Sequence, residues 1–383
     1  MADGILHRQE IWRESPAGGL VDAPLLTKPW REVLGLIADG RAPQPPVAHL
    51  CGRRLLALEE GRAALAIPAS EWFCGPKGRV DSGMFAFLAD MTHFYAVLST
   101  LPAGGGCTTA ELSMTFLGQP PYAGGQLTAS TEVVYADDRN ALALAVVCGD
   151  HGQPVAHSTS RYFLFPAGAV NPRRSPRSSA AAMRSPAADP VFRPCDPTFS
   201  PLDDRTLDRL SGLEILRAEL AGERSPPPID RLTGIRLTDA ADGQVVFSLP
   251  AHGWLLQEIG TVFGGMIALL AKSATAGAVQ AAASAGTRFT APRSQGELPP
   301  SGGGRRHRAF RRRQRGSSRQ PARDRQYEDN PRRADRSDRD GDYRPQPLTL
   351  PRSPIALATG PTRVPAKAHG RARAGHRAHL RRH

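Results

Sequence analysis

The chain is poor in the features that staple, metallate or anchor a protein. Its 383 residues include five cysteines, Cys51, Cys74, Cys107, Cys148 and Cys195, with no CxxC pair among them. That odd, scattered set argues against structural disulfides and implies no zinc site. No stretch approaches the roughly 18 uninterrupted apolar residues of a membrane span, and Met1–Glu10 lacks the apolar core of a secretory signal. The expected setting is therefore the cytoplasm, with no membrane partner.

Other features are abundant but unevenly placed. The chain carries 35 prolines, 38 glycines and a net charge of +13, which alone would invite a nucleic-acid reading through counterion release. From Pro292 to His383, however, 24 Lys or Arg stand against 8 Asp or Glu, so residues 1–291 carry a net −3. The basic character belongs to the tail, and nucleic acid is not an expected partner. A length of 383 residues has room for two cores.

Sliding the sequence against itself gives an ungapped match at an offset of 182. Pro45, Pro46, Leu50, Gly52, Arg54 and Gly61 recur as Pro227, Pro228, Leu232, Gly234, Arg236 and Gly243. Pro68, Ala69 and Trp72 recur as Pro250, Ala251 and Trp254. The densest run, Gly78, Val80, Gly83, Met84, Ala86, Leu88 and Ala89, returns as Gly260, Val262, Gly265, Met266, Ala268, Leu270 and Ala271. Two related modules are the expected plan.

Each copy begins with an amphipathic helix, about 29–39 and again about 207–221, then a Pro-Pro segment, a strand and a buried helix. In the first copy Arg62–Ile67 reads as a strand and Gly83–Leu98 as a helix. Thr108–Leu117, Gln126–Tyr135, Leu142–Cys148 and Val155–Phe165 read as four further strands separated by turn residues. The fold class is α+β, a helix wrapped by a curved antiparallel sheet. Ala167–Pro197 reads as linker sequence, rich in Pro, Ser, Arg and Ala. The expected organisation is an N-terminal segment 1–28, a complete module 29–166, a linker 167–206, a partial module 207–291 and an Arg/Pro-rich disordered tail 292–383.

The second copy stops matching after Thr290, the counterpart of Thr108. Where the first continues through Ala110–Phe116, the second gives Pro292-Arg293-Ser294-Gln295-Gly296-Glu297-Leu298-Pro299-Pro300, from which no strand is expected. A nucleotide string encoding Pro292–Gly302 can be chosen so that, read one base later, it spells Leu-Asp-Leu-Lys-Val-Asn-Phe-Leu-Arg-Pro. Gln314–Gln320 can likewise yield Asn-Val-Val-His-Arg-Gly, which mirrors Glu132-Val133-Val134-Tyr135. A frameshift near codon 291 is the expectation, and the nucleotide sequence there tests it.

Gly78-Arg79-Val80-Asp81-Ser82-Gly83-Met84, followed by Leu88-Ala89-Asp90, resembles the signature of hotdog-fold acyl-CoA thioesterases of the phenylacetate-degradation (PaaI) type. Thr108–Leu117 looks like the strand after the hotdog helix, and Gln257–Met266 carries the signature again. The resemblance spans roughly 30–166 and 207–290. It implies a tandem hotdog pair in which each active site takes an amide and a glycine turn from one module and an acid from the other. Carried over residue by residue, one site combines the catalytic set Gln257, Gly264 and Asp90, with Thr109 near the acid, and the helix-entry glycines Gly83 and Gly265 as substrate-binding positions. The opposite site has Gly75 for the amide, Asp81-Ser82 for His-Gly and Lys272 for the acid, and would be dead.

The residue types suit the chemistry: free N–H groups at a helix start stabilise an oxyanion, and a desolvated Asp acts as base or nucleophile. Taken singly, each is ordinary: Asp90 a polar helix position, Gln257 a loop residue, Gly264-Gly265 a helix entry, Thr109 a strand residue and His93 a structural histidine. The implied activity is thioester hydrolysis of an acyl-CoA with no metal or other cofactor, coenzyme A entering as part of the substrate. A non-catalytic acyl-CoA-binding or scaffold protein, or an inactive frameshifted product, is the alternative. Pairing with another copy through the modules stays open.

Overall fold

In a computed structural model of the chain, residues 10–118, 121–169, 189–195, 199–288 and 293–297 are described. All fall in one compact unit, Met1–Ser317. Residues 298–383 of the expected tail 292–383, most of the linker and the junction near codon 291 lie outside the described residues.

The first half opens with α1 (Trp30–Ala38) and a short helix α2 (Pro46–Cys51), which starts on a proline and ends on Gly52 at φ 63°. That left-handed cap suits glycine. A hairpin of β1 (Arg54–Glu59) and β2 (Arg62–Pro68) follows, then α3 (Gly83–Leu98). After it come β3 (Gly106–Phe116), β4 (Gln126–Ala136), β5 (Asn140–Cys148) and β6 (Pro154–Phe165). The sheet order is β1-β2-β4-β5-β6-β3, every described pairing antiparallel. All 16 residues of α3 are buried, as expected of a helix apolar on every side. This is the hotdog arrangement. The strands expected from sequence lie within two residues of those found; the β1 strand and α2 were not anticipated.

The second half repeats the order. α6 (Pro228–Thr233), β7 (Arg236–Ala241), β8 (Gln244–Ser248) and α7 (Gly264–Ala281) stand 182 residues after α2, β1, β2 and, within one residue, α3. The helix expected over 207–221 is two, α4 (Asp204–Arg209) and α5 (Gly212–Leu220). The break has a local cause: Leu210 is extended, and Ser211 with Glu214 forms a reciprocal capping box that starts a new helix. Within the expected linker, Val191 is buried, and the Trp72 indole donates to the Arg193 carbonyl at 3.0 Å.

One expectation is overturned. Residues Arg293–Glu297 do form a strand, β9, paired antiparallel with the outer edge of β3. Edge pairing uses main-chain groups alone, so five proline-free residues suffice without alternating apolar side chains. Its register is informative: Ser113 pairs with Gln295, which is 182 residues further on. The pairing is thus symmetric under exchange of the halves. The helices obey the same relation. A Cβ on Gly83 would meet Leu269, and a Cβ on Gly265 would meet the backbone of Phe87, at 3.0 Å from its Cα. Backbone ties match as well: Val47 N–H donates to the Leu256 carbonyl, and Ile229 N–H to that of Cys74. No helix among the described residues is long and apolar enough to cross a membrane.

Candidate active site

Asp90 sits at the middle of α3 with no solvent exposure. Two hydroxyls converge on one of its oxygens: Thr109 Oγ1 donates to Oδ1 at 2.9 Å and Tyr162 Oη at 2.8 Å. Oδ2 is buried and accepts no hydrogen bond of good geometry. Burial lifts the Asp90 carboxyl to about 6, opposed by the Tyr162 and Thr109 hydroxyls and by the backbone N–H of Gly265. That last group belongs to the opening turn of α7, whose N-terminal N–H groups have no helical acceptors. The acid from the first half and the helix entry from the second are therefore adjacent.

Local backbone explains how Thr109 reaches the acid. Along β3, Cys107 and Thr109 are buried, then Leu112 and Met114. The change of parity is a bulge at Ala110: Thr109 pairs with Tyr162 and Glu111 with Arg161. Such an extra residue re-aims the side chains on one side of it. Tyr162 and Thr109 thus form a cross-strand pair at the bulge, both facing α3.

Gln257 is 7% exposed, and its amide donates to Thr261 Oγ1 while Oε1 is buried without a hydrogen bond. No described hydrogen bond joins it to Asp90. Its loop is tied to the first half, since Val21 N–H donates to the Glu258 carbonyl at 2.8 Å. The Glu258 carboxylate is buried and accepts from Arg53 at 3.2 Å and from Tyr95. Gly264 is the first residue of α7, after Phe263 as N-cap. Gly83 and Gly265 abut the facing helix, so helix crossing alone demands glycine there.

The position equivalent to this site by the 182-residue relation is built differently. Lys272, which stands where Asp90 does, donates to Asp81 Oδ2 at 2.6 Å, and Asp81 Oδ1 accepts from the Gly83 N–H at 2.7 Å. A carboxylate of the chain itself thus occupies the α3 entry. It also fills the room an amide side chain would need, because a Cβ on Gly75 would lie 2.8 Å from Asp81 Oδ2. Among the described residues no group of three or more His, Cys, Asp or Glu side chains is placed to hold a metal ion.

His93 is buried with Nε2 2.6 Å from Ser158 Oγ, and burial pushes it down to about 3. It is neutral and turned to the sheet. Sequence reasoning missed Tyr162, Arg53, Tyr95 and Glu258. No local pattern marks them, since their partners lie far along the chain; only the shared burial on β6 and α3 could have raised Tyr162.

No known family model matches this chain, and no curated protein does. Solved structures do. A putative thioesterase, a phenylacetic acid degradation-related protein from Ralstonia eutropha JMP134, is 27% identical over 34% of this chain and 97% of its own, with a TM-score of 0.32. The E. coli PaaI protein from the phenylacetic acid degradation operon is 19% identical over 37% and 97%, TM-score 0.32. A Streptococcus mutans UA159 protein bound to acetyl CoA is 18% identical over 30% and 88%, TM-score 0.28.

Proposed function

We propose that the chain derives from a fused pair of hotdog modules, and that it is an acyl-CoA thioesterase with one working site. The observation that carries this reading is a fully buried carboxylate, lifted to about 6 and still ionised at neutral pH, set against the first N–H groups of a helix from the other half. In the proposed reaction Asp90 takes a proton from water while that water attacks the thioester carbonyl carbon. The Gly264–Gly265 turn donates to the oxyanion, collapse expels the thiolate, and the proton returns to it, giving a carboxylic acid and free coenzyme A. Direct attack by Asp90, with hydrolysis of the resulting anhydride, has the same balance. Gln257 holds the carbonyl or the water, and Thr109 steadies the acid. The Asp81–Lys272 pair supports an inert second site, because a cation bound to Asp81 stands there in place of the acid.

Release of coenzyme A thiol from acetyl-, hexanoyl-, palmitoyl- and phenylacetyl-CoA tests the reading. Asp90→Asn is expected to lower the rate on the order of 10²–10³-fold. An equal rate in the variant removes Asp90 from the reaction. Absence of turnover by wild type on the whole panel, with binding retained, favours a non-catalytic acyl-CoA-binding protein.

A further inference from the structure

Asp90 is held by an arrangement that treats its two oxygens unequally. Thr109 and Tyr162 are directly opposed across β3 and β6, at the bulge that turns Thr109 inward. Both hydroxyls go to Oδ1, at 2.9 and 2.8 Å, and Tyr162 also lies 3.1 Å from the Asp90 backbone carbonyl. Oδ2 has neither. A carboxylate on a helix would otherwise turn about χ2, a broad, roughly two-fold torsion. Two donors on one oxygen fix that rotation and leave the second without a side-chain donor. Tyr162 is fully buried, so its ring has no freedom to swing away, and its phenol, pushed up by burial and by Asp90, stays a donor at every working pH.

We propose that Tyr162 is a positioning residue for Asp90: with Thr109 it occupies Oδ1 and so makes Oδ2 the oxygen that meets water or substrate. The kinetic half of this inference rests on the thioesterase reading; the placement of the carboxylate does not. The groups facing Asp90 leave Tyr162 a clear signal. β6 brings Tyr162, β3 brings Thr109 and the Cys107 thiol, and α7 brings the Gly265 amide, while His93, on the next turn of α3, is turned to Ser158. Burial pushes the Cys107 thiol up and His93 down to about 3, so none of them is charged near pH 6.

The test follows the Asp90 carboxyl carbon by NMR in the full chain labelled with ¹³C-aspartate, its resonance assigned by loss in Asp90→Asn. In Tyr162→Phe the titration midpoint is expected to rise by roughly one pH unit, a tenfold weaker acid. Incorporating 3-fluorotyrosine at position 162 keeps the shape and strengthens the donor, so the midpoint is expected to fall. Opposite shifts support the placement, and if one variant folds poorly the expected shift in the other does so by itself. A midpoint unmoved in either folded variant overturns it. With acetyl-, hexanoyl- and phenylacetyl-CoA, the acid limb of kcat in Tyr162→Phe is expected to follow the NMR midpoint with KM unchanged; a change in KM alone overturns the positioning role. Shifted midpoints in a chain that cleaves none of the three leave the placement standing and remove the hydrolase reading instead.

Discussion

Helices α3 and α7 share a sequence pattern at an offset of 182, yet α3 buries all of its 16 residues while α7 buries Gly265, Met266, Leu269, Gly277 and Ala281 out of 18. The first is enclosed by a sheet of six strands from its own half; the second has the β7–β8 hairpin, α5 and the face of α3. What they share is what each gives the other: a glycine at the crossing and a helix entry beside the partner's side chain. What differs is the charge sent across. Asp90 reaches the α7 entry, whereas Lys272 reaches Asp81, which already caps α3. One fold therefore carries two centres with opposite demands on stability.

The sharpest way to break this comparison is to delete the cation. Lys272→Met leaves the Asp81 carboxylate, 6% exposed at its side chain, with the Gly83 N–H as its remaining donor, and is expected to cost about 1–3 kcal/mol, the usual penalty for removing a partner from a buried polar group. Equilibrium denaturation measures it; a loss under 1 kcal/mol would mean the pair is solvated.

Asp90→Asn is expected to act in the other direction. Folding raises this carboxyl from 3.8 to about 6, so it favours the native state when protonated. That contribution is complete below pH 4 and is lost as pH rises to about 6, a swing of roughly 3 kcal/mol. The stability gain of the Asn variant should thus be near zero at about pH 4 and greatest above about pH 7. Denaturant melts at both pH values decide it, and a pH-independent gain would contradict the burial account.

The two crossing glycines are not expected to be equivalent. Gly265→Ala meets backbone atoms of Phe87, while Gly83→Ala meets the end of the Leu269 side chain, which can turn aside. Thermal melts should give a loss of about 1–3 kcal/mol for the former and less for the latter. Smallest of all, Arg62→Ala removes an exposed pair with Glu132 and is expected to leave the thermal midpoint essentially unchanged, as for most solvated pairs; a clear drop would show that the β2–β4 pairing leans on it.

Much of this was legible. The bounds of α3 follow from an apolar run with a glycine at its start, whereas the meeting of an acid on one helix with the entry of another was implied by the resemblance to paired hotdog modules and not by the repeat itself. The split of 207–221 was hidden because Ser211 and Glu214 sit inside an apolar period, where a capping box looks like two polar faces. The β9 strand carries no side-chain signal; its register comes from a neighbour's free edge. Tyr162 is a tyrosine on an ordinary strand until a bulge 52 residues earlier sets its partner.

The Asp81 carboxylate caps the very helix it precedes, whereas Asp90 serves a helix from the other half of the molecule. Pulling the halves apart would leave one helix start with its own neutralising group and the other with nothing. The cap on α3 is self-sufficient and the contact at Asp90 is borrowed, so a lesion that loosens the contact between halves would undo the centre proposed at Asp90 long before it disturbed the Asp81 cap.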